Sequence, residues 1–293
     1  MAQWKVAAGP ASIDLAKRLA RHLGAEWVEA EWRTFPDGES LVRVTGDLGG
    51  KRVLLVQSTY PPVDTHYMQA FLLAHKLAEM GAEVFGVLPY LGYSRQDQEF
   101  RPGEVISIGV VARLLRYSGF RRILTVDITS ARALAHFPIP IDSVSAIPLL
   151  ANRLKESLPA EEIVAVAPDA GASARVEAFA KILGCEYYVL EKFRDRATGE
   201  VTVAEAEIPV RGKTVVFVDD IISTGETLCR AARLVRRQGA KSMKAACVHP
   251  ILVDNALPKL REAGIDTVIA TNTVPSPVSS VDVTPILAAY FEG

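Results

Sequence analysis

The sequence has no surplus of charge of either sign. Its 33 lysines and arginines face 34 aspartates and glutamates, for a formal net charge of −1. Such a balance supplies no overall field for nucleic acid or an anionic membrane surface, so neither is expected as a partner. Cysteine is scarce: the three present, Cys185, Cys229 and Cys247, form no CxxC pair and no even framework. That excludes a disulfide-stapled fold, argues against a structural zinc site, and leads to the expectation of a reducing, cytoplasmic setting. The longest uncharged and largely apolar run, residues 84–94, is far shorter than the roughly 20 residues of a bilayer-spanning helix. The opening MAQWKVAAGP lacks the basic stretch and apolar core of an export signal. Hydrophobic residues at 49% and charged residues at 23% are those of an ordinary globular protein, which excludes disorder for most of the chain.

What is present is alternation. At 293 residues the chain is long enough for about two domains. Apolar, β-rich runs are expected as strands at 5–8, 52–57, 83–88, 123–127, 163–167, 186–190, 214–218, 244–248 and 267–270. Runs such as VLLV and TVVFV, unbroken by polar residues, suit strands buried on both faces of a parallel sheet. Between them, amphipathic periodicity predicts helices over 12–23, 65–80, 106–117, 173–183 and 224–238, several stopping at a glycine (Gly24, Gly81, Gly184, Gly239) suited to a left-handed C-terminal cap. Strand–helix–strand repetition implies an α/β fold with right-handed crossovers.

The two halves echo each other. KVAAGPASIDLAKRLARHLGAEWVEAE (5–31) reads like IVAVAPDAGASARVEAFAKILGCEYYVLE (163–191), and RVLLVQS with MGAEVFGVLPY reads like TVVFVDD with QGAKSMKAACVHP. A duplicated α/β domain explains both matches, with domains expected at 1–145 and 146–293.

The sharpest motif is VDDIISTGETL at 218–228, which follows a buried strand and opens a helix. A helix N-terminus favours a phosphate through its unpaired N–H donors and its dipole. Ser223, Thr224 and Thr227 add hydroxyls, Glu226 lies within the loop, and Gly225 lets the backbone approach an anion closely. Asp219 and Asp220, at the carboxyl end of the strand, suit ribose hydroxyls or magnesium-bound water. The plainer alternative is an acidic turn with Thr224 as helix cap.

These residues match the ribose-phosphate loop of the type I phosphoribosyltransferase fold. With FPDGES (35–40), YSRQDQEFRPGE (93–104) and VAPDAGASAR (166–175) in the same order, the chain from about Val6 to Tyr290 resembles the ribose-phosphate pyrophosphokinase family. The RQDQEFRPGE version is closer to archaeal-type sequences than to the long-loop bacterial and animal form. The resemblance implies an α/β fold of two duplicated phosphoribosyltransferase-like domains, each a mainly parallel sheet flanked by helices. It implies ATP and ribose 5-phosphate as substrates, Mg²⁺ as cofactor, and a homo-oligomer of at least two subunits.

On the residues alone, Asp37-Gly38 reads as a hairpin turn. The resemblance instead places Phe35, Asp37 and Glu39 at the ATP of a neighbouring subunit. Arg95 can bind phosphate bidentately and Gln96 can hold the nucleotide; with Asp97 they form the second ATP-contacting segment of the family, while an ordinary solvated turn would look similar. Arg101 is a weaker candidate. Asp169 is placed to hold Mg²⁺ directly or through water, and Ala170, Gly171 and Ala172 keep its loop small enough for pyrophosphate. Arg175 fits an anion site or a salt bridge equally well. Lys192 and Arg194, in EKFRDRATGE, read as a solvated basic hairpin by themselves. In the family the matching pair belongs to the mobile catalytic loop, suited to charge spread over a transferring phosphoryl group.

Two places depart from the family pattern. Thr129 stands where the family commonly has a histidine serving the Mg–ATP site, so the site is either built differently or less active; His136, seven residues on, is expected to pack. GDLGG (46–50) lacks the Ser and Arg of the phosphate-activated class, which removes the expectation of that class's allosteric site. The remaining histidines show no metal-ligand spacing. Two other functions are consistent with part of the sequence: a phosphoribosyltransferase, which would not need FPDGE or RQD, and a catalytically weak regulatory paralogue, for which Thr129 is the only motive.

Overall fold

The computed structural model describes residues 4–157, 160–190, 192–194, 201–203 and 207–292. The chain divides into two compact units, residues 1–145 with 283–293, and residues 146–282.

In the first unit, β1 (Trp4–Ala8) leads through a 3-10 turn (Pro10–Ser12) into α1 (Ile13–Leu23) and β2 (Glu26–Trp27). A hairpin of β3 (Ala30–Thr34) and β4 (Ser40–Val44) follows, then β5 (Arg52–Val56), α2 (Val63–Glu79), β6 (Glu83–Val87), α3 (Ser107–Tyr117), β7 (Phe120–Val126) and β8 (Ile141–Val144). The second unit runs α4 (Ile147–Lys155), β9 (Ile163–Ala167), α5 (Ser173–Leu183), β10 (Glu186–Val189), the hairpin strands β11 (Lys192–Arg194) and β12 (Val201–Val203), and β13 (Thr214–Ile222). It continues with α6 (Glu226–Arg237), β14 (Ser242–Pro250), α7 (Ala256–Glu262), β15 (Ile265–Thr271) and β16 (Ser279–Val281).

Each unit has one six-stranded sheet, ordered β2-β1-β5-β6-β7-β8 in the first and β10-β9-β13-β14-β15-β16 in the second. Every pairing within these two sheets is parallel. The orders coincide, and each unit inserts its antiparallel hairpin at the same point, after the edge strand. The repeat read from two sequence matches is therefore a repeat of topology. The central strands are buried on both faces, as in β5 (Val53, Leu54, Leu55 and Val56) and β13 (Val215, Val216, Phe217 and Val218). Helices cover them with apolar stripes: Leu15, Ala16, Leu19 and Ala20 face inward from α1, and Val176, Phe179, Ala180 and Leu183 from α5. Gly24 and Gly184 end these helices at φ 57° and 78°, a conformation that costs glycine little.

Two differences from the sequence reading stand out. Residues 283–293 were expected with the second half, but α8 (Thr284–Glu292) groups with the first unit. Its Phe291 ring packs edge-on to Trp4 with centroids 5.3 Å apart, and Tyr290 Oη donates to Asp142 Oδ2 at 2.5 Å. No helix was expected over these residues, and their partners Trp4 and Asp142 lie far away in sequence. The other difference is β13, expected over 214–218, which continues to Ile222 because β14 keeps pairing with it, Asp219 opposite Cys247 and Ile221 opposite His249.

Candidate active site

In each sheet the strand order reverses beside the first strand of the unit. Ligands of open α/β sheets bind outside the carboxyl ends of the strands at such a reversal. In the second unit that point lies between β9 and β13, and both strands end in acidic loops.

Asp219 and Asp220 end β13. Asp220 is buried, with 7% of its surface exposed, and its Oδ2 lies 3.3 Å from Arg175 Nη2. The two are within ion-pair distance but not in hydrogen-bond geometry, so Oδ2 is a buried oxygen without a hydrogen-bond donor. Asp219 Oδ1 accepts the Asp220 N–H at 2.9 Å. Burial, followed by the charge of Asp220 and then that of Asp169, pushes the Asp219 carboxyl well above the ordinary aspartate range. Asp219 is thus held toward its neutral form beside two further carboxyl groups, one of them paired with Arg175.

Asp169 caps the 3-10 turn Ala170–Ala172, accepting the Gly171 N–H at 3.0 Å. Arg175, in the first turn of α5, donates from Nη1 to the Gly171 carbonyl at 3.0 Å. A single guanidinium therefore braces the Asp169 loop and the β13 acids together. The sequence left Arg175 open between two roles. Its signal was position: a cation in a helix's first turn, with no acid there, opposes the macrodipole and calls for a nearby anion.

Beyond β13, Gly225 is the N-cap of α6 at φ 76°, and no side chain caps the helix. Thr224 is therefore not the cap of the plainer reading. A Cβ on Gly225 would lie 3.3 Å from Leu260 Cγ, so packing and backbone together require glycine. Ser223, Thr224 and Thr227 are half-buried around this turn, and Glu226 is exposed. The backbone of Lys192 and Arg194 lies in β11, while their side chains lie outside the described part of the structure.

In the first unit, Phe35–Glu39 is the tip of the β3–β4 hairpin, closed by Phe35 N–H to the Glu39 carbonyl at 2.8 Å. Asp37 Oδ1 accepts the Glu39 N–H at 3.2 Å. Phe35 is half-buried with Arg33 over its ring at 4.8 Å, and Asp37 and Glu39 are exposed. Arg95 is exposed and Gln96 half-buried. Asp97 differs from its neighbours: it is 5% exposed and its carboxylate accepts from Ser130 Oγ. Thr129 is half-buried just beyond β7, two residues after Asp127, which adopts φ 37° and accepts from Ser145 Oγ at 2.8 Å. His136 Nε2 bonds the Asp97 carbonyl at 2.8 Å.

The family match joins these pieces. Residues 4–119 match the N-terminal domain of ribose phosphate pyrophosphokinase, and residues 143–284 the phosphoribosyl transferase domain. A ribose-phosphate pyrophosphokinase of Methanopyrus kandleri is 41% identical over 96% of both chains. One from Saccharolobus solfataricus is 40% identical over 91% of each. The chain belongs to the ribose-phosphate pyrophosphokinase family. The fold agrees: a phosphoribosylpyrophosphate synthetase from Mycobacterium smegmatis superposes with a TM-score of 0.89 at 31% identity, over 99% of this chain and 98% of that one. As a pyrophosphokinase-family site, the β9–β13 crevice offers Asp169, Asp219 and Asp220 as hard oxygen donors. One of these carboxylates has an oxygen without a hydrogen-bond donor, and another is held toward protonation by burial first and by its acidic neighbours second. Among the described residues no group of three or more His, Cys, Asp or Glu is arranged to hold a metal ion. A divalent cation such as magnesium, however, takes only one or two carboxylates, which these residues can supply, and completes its shell with phosphate and water. No helix among the described residues is long and apolar enough to cross a membrane.

Proposed function

We propose that the chain transfers the pyrophosphoryl group of ATP to the anomeric hydroxyl of ribose 5-phosphate. The products are 5-phosphoribosyl 1-diphosphate and AMP. The observation that carries this is the coincidence of full-length family membership with an electron-rich crevice at the β9–β13 reversal. In the reaction the anomeric oxygen forms a bond to the β-phosphorus. The bond from that phosphorus to the α–β bridging oxygen breaks, AMP leaves, and the hydroxyl proton passes to solvent.

The residues divide the work. The turn 223–227 and the N-terminus of α6 receive the sugar 5-phosphate, with Gly225 giving the backbone its approach. Asp219 and Asp220 accept hydrogen bonds from the ribose hydroxyls. Asp169 and the small residues after it border the pyrophosphate path, with Arg175 holding both acidic loops. Lys192 and Arg194 meet the charge spread over the transferring phosphoryl oxygens. Arg95, Gln96 and Asp97 form the nucleotide side, and Phe35, Asp37 and Glu39 reach the nucleotide of a neighbouring subunit. Mg²⁺, which Asp169 would hold, would supply charge neutralisation when bound; Thr129, in the first unit, is the second metal candidate. No covalent enzyme intermediate is needed, so catalysis rests on positioning and electrostatics.

A split nucleotide pocket requires a homo-oligomer, which light scattering reads directly: an active monomer would contradict the role of Phe35 and Glu39. We assign residues 1–145 and 146–282 as the two duplicated domains, with the last helix returned to the first. Three cysteines without a disulfide agree with a cytoplasmic setting. AMP release from ATP, Mg²⁺ and ribose 5-phosphate tests the function. From these substrates a phosphoribosyltransferase releases no AMP, and a regulatory paralogue shows only residual turnover.

A further inference from the structure

The segment joining β6 to α3, residues 88–106, has no helix or strand of its own, yet it carries Arg95 and Gln96. Loops of this length hold a shape only when tied down. Gln96 is held within the loop, by Tyr93, Gln98 and Glu104, and by Ile108 at the start of α3. The long-range ties on Asp97 and Gln98, in contrast, come from one place, a 3-10 turn over Ala131–His136 with Ser130 as its N-cap residue. His136 Nε2 bonds the Asp97 carbonyl at 2.8 Å; a carbonyl only accepts, so Nε2 carries the proton. Ser130 Oγ donates to the buried Asp97 carboxylate, and Arg132 Nη1 donates to Gln98 Oε1. In a 3-10 helix, residues three apart eclipse. Ala133 and His136 therefore lie on one face of the turn, with fully buried Ala133 anchoring it in the core and Ser130 preceding it as the N-cap residue. Gly109 of α3 backs the imidazole: a Cβ there would sit 3.6 Å from Nδ1.

We infer that Ser130 and His136 are positioning residues for the nucleotide loop, gripping Asp97 by carboxylate and carbonyl so that Arg95 and Gln96 meet the nucleotide already ordered. Arg132, exposed, adds a minor solvent-side tie. The grip matters because an exposed arginine on an untethered loop loses affinity to the entropy of ordering it. Asp97 thereby acts through the backbone of its neighbours, which explains why its carboxylate is buried while Arg95 stays exposed. The inference rests on reading residues 95–97 as the nucleotide side of the site.

Steady-state kinetics of the full chain test it, with ATP and ribose 5-phosphate varied in turn. His136→Leu removes the donor, and the KM for ATP is expected to rise about five- to tenfold, the loss of roughly one hydrogen bond. The KM for ribose 5-phosphate should stay unchanged. His136→Gln keeps a donor near the Nε2 position and should restore most of the ATP affinity, which a merely space-filling role would not require. Ser130→Ala should show the same split and serves where His136→Leu fails to fold. An unchanged KM for ATP, or equal rises for both substrates, overturns the inference. Arg95→Ala separates the two claims. If it raises the KM for ATP while the His136 and Ser130 variants do not, the positioning role alone is wrong. If Arg95→Ala leaves ATP binding unchanged, the nucleotide-loop reading fails and the inference falls with it.

Discussion

Arg175 Nη2 lies 3.3 Å from Asp220 Oδ2, while its Nη1 donates to the Gly171 carbonyl at 3.0 Å. One side chain thus joins the loop after β9 to the end of β13. Both charged groups are largely buried, with side-chain exposures of 16% and 10%. Removing one partner of such a pair leaves an uncompensated charge and costs about 3–5 kcal/mol.

Arg175→Met should therefore lower unfolding free energy by an amount near the bottom of that range, since Asp220 keeps some access to water. It should also raise the KM for ribose 5-phosphate. Adding Asp220→Asn should recover part of the stability but none of the sugar affinity. Urea denaturation and initial-rate kinetics on the three proteins give both readings, and additive stability losses would show that the two side chains do not interact.

Gly225→Ala meets two obstacles, φ 76° and Leu260 Cγ 3.3 Å from the new methyl. A left-handed L-residue costs about 1–2 kcal/mol, and Leu260 sits in α7, so the turn must shift. The expected result is a modest fall in melting temperature with a marked loss of ribose 5-phosphate affinity, measured by calorimetry and titration. Unaltered sugar-phosphate binding would remove the turn from the site.

Lys192→Ala should reduce kcat by about 10²–10³ while leaving both KM values near wild type, because its charge is needed most in the transition state. Near-normal turnover would place Lys192 on a solvated hairpin instead.

Much of this architecture was legible in the residues. Apolar, β-rich runs located the nine main strands, and glycine stops located helix ends, because burial on both faces and left-handed caps leave local signatures. The short edge strands β2, β8 and β16 carry too few residues for a period, and α8 belongs to the first unit through Trp4 and Asp142, partners far away in sequence. At the site, VDDIISTGETL and VAPDAGASAR declared themselves by composition. The Arg175 brace did so only weakly, through an arginine set against a helix dipole. The inward turn of Asp97 had no local signal at all, since it depends on Ser130 and His136 more than thirty residues away.

His66 gives a pH test of the first unit. It is buried, its Nδ1 bonds the Tyr60 carbonyl at 2.6 Å, and burial lowers its pKa below the ordinary value of 6.5. The unfolded chain then binds the proton more readily, so stability is full above about pH 6.5 and is lost as pH falls toward the folded value. His66→Asn keeps a donor near Nδ1 without the titration. The difference in unfolding free energy between variant and wild type should change between pH 7 and pH 5 and stay flat above it. A constant difference across that range would mean that His66 titrates as in the unfolded chain.

The central claim is that the pyrophosphoryl group moves intact from ATP to the anomeric oxygen, and ³¹P NMR of the reaction mixture observes this directly. With ATP, Mg²⁺ and ribose 5-phosphate, the account predicts an AMP resonance and a pair of coupled diphosphate doublets growing at equal rates, alongside a retained 5-phosphate signal. It also predicts their disappearance when Asp219 and Asp220 are both replaced by Asn. Formation of ADP or of inorganic phosphate in place of AMP, or full activity in the doubly substituted chain, would contradict it.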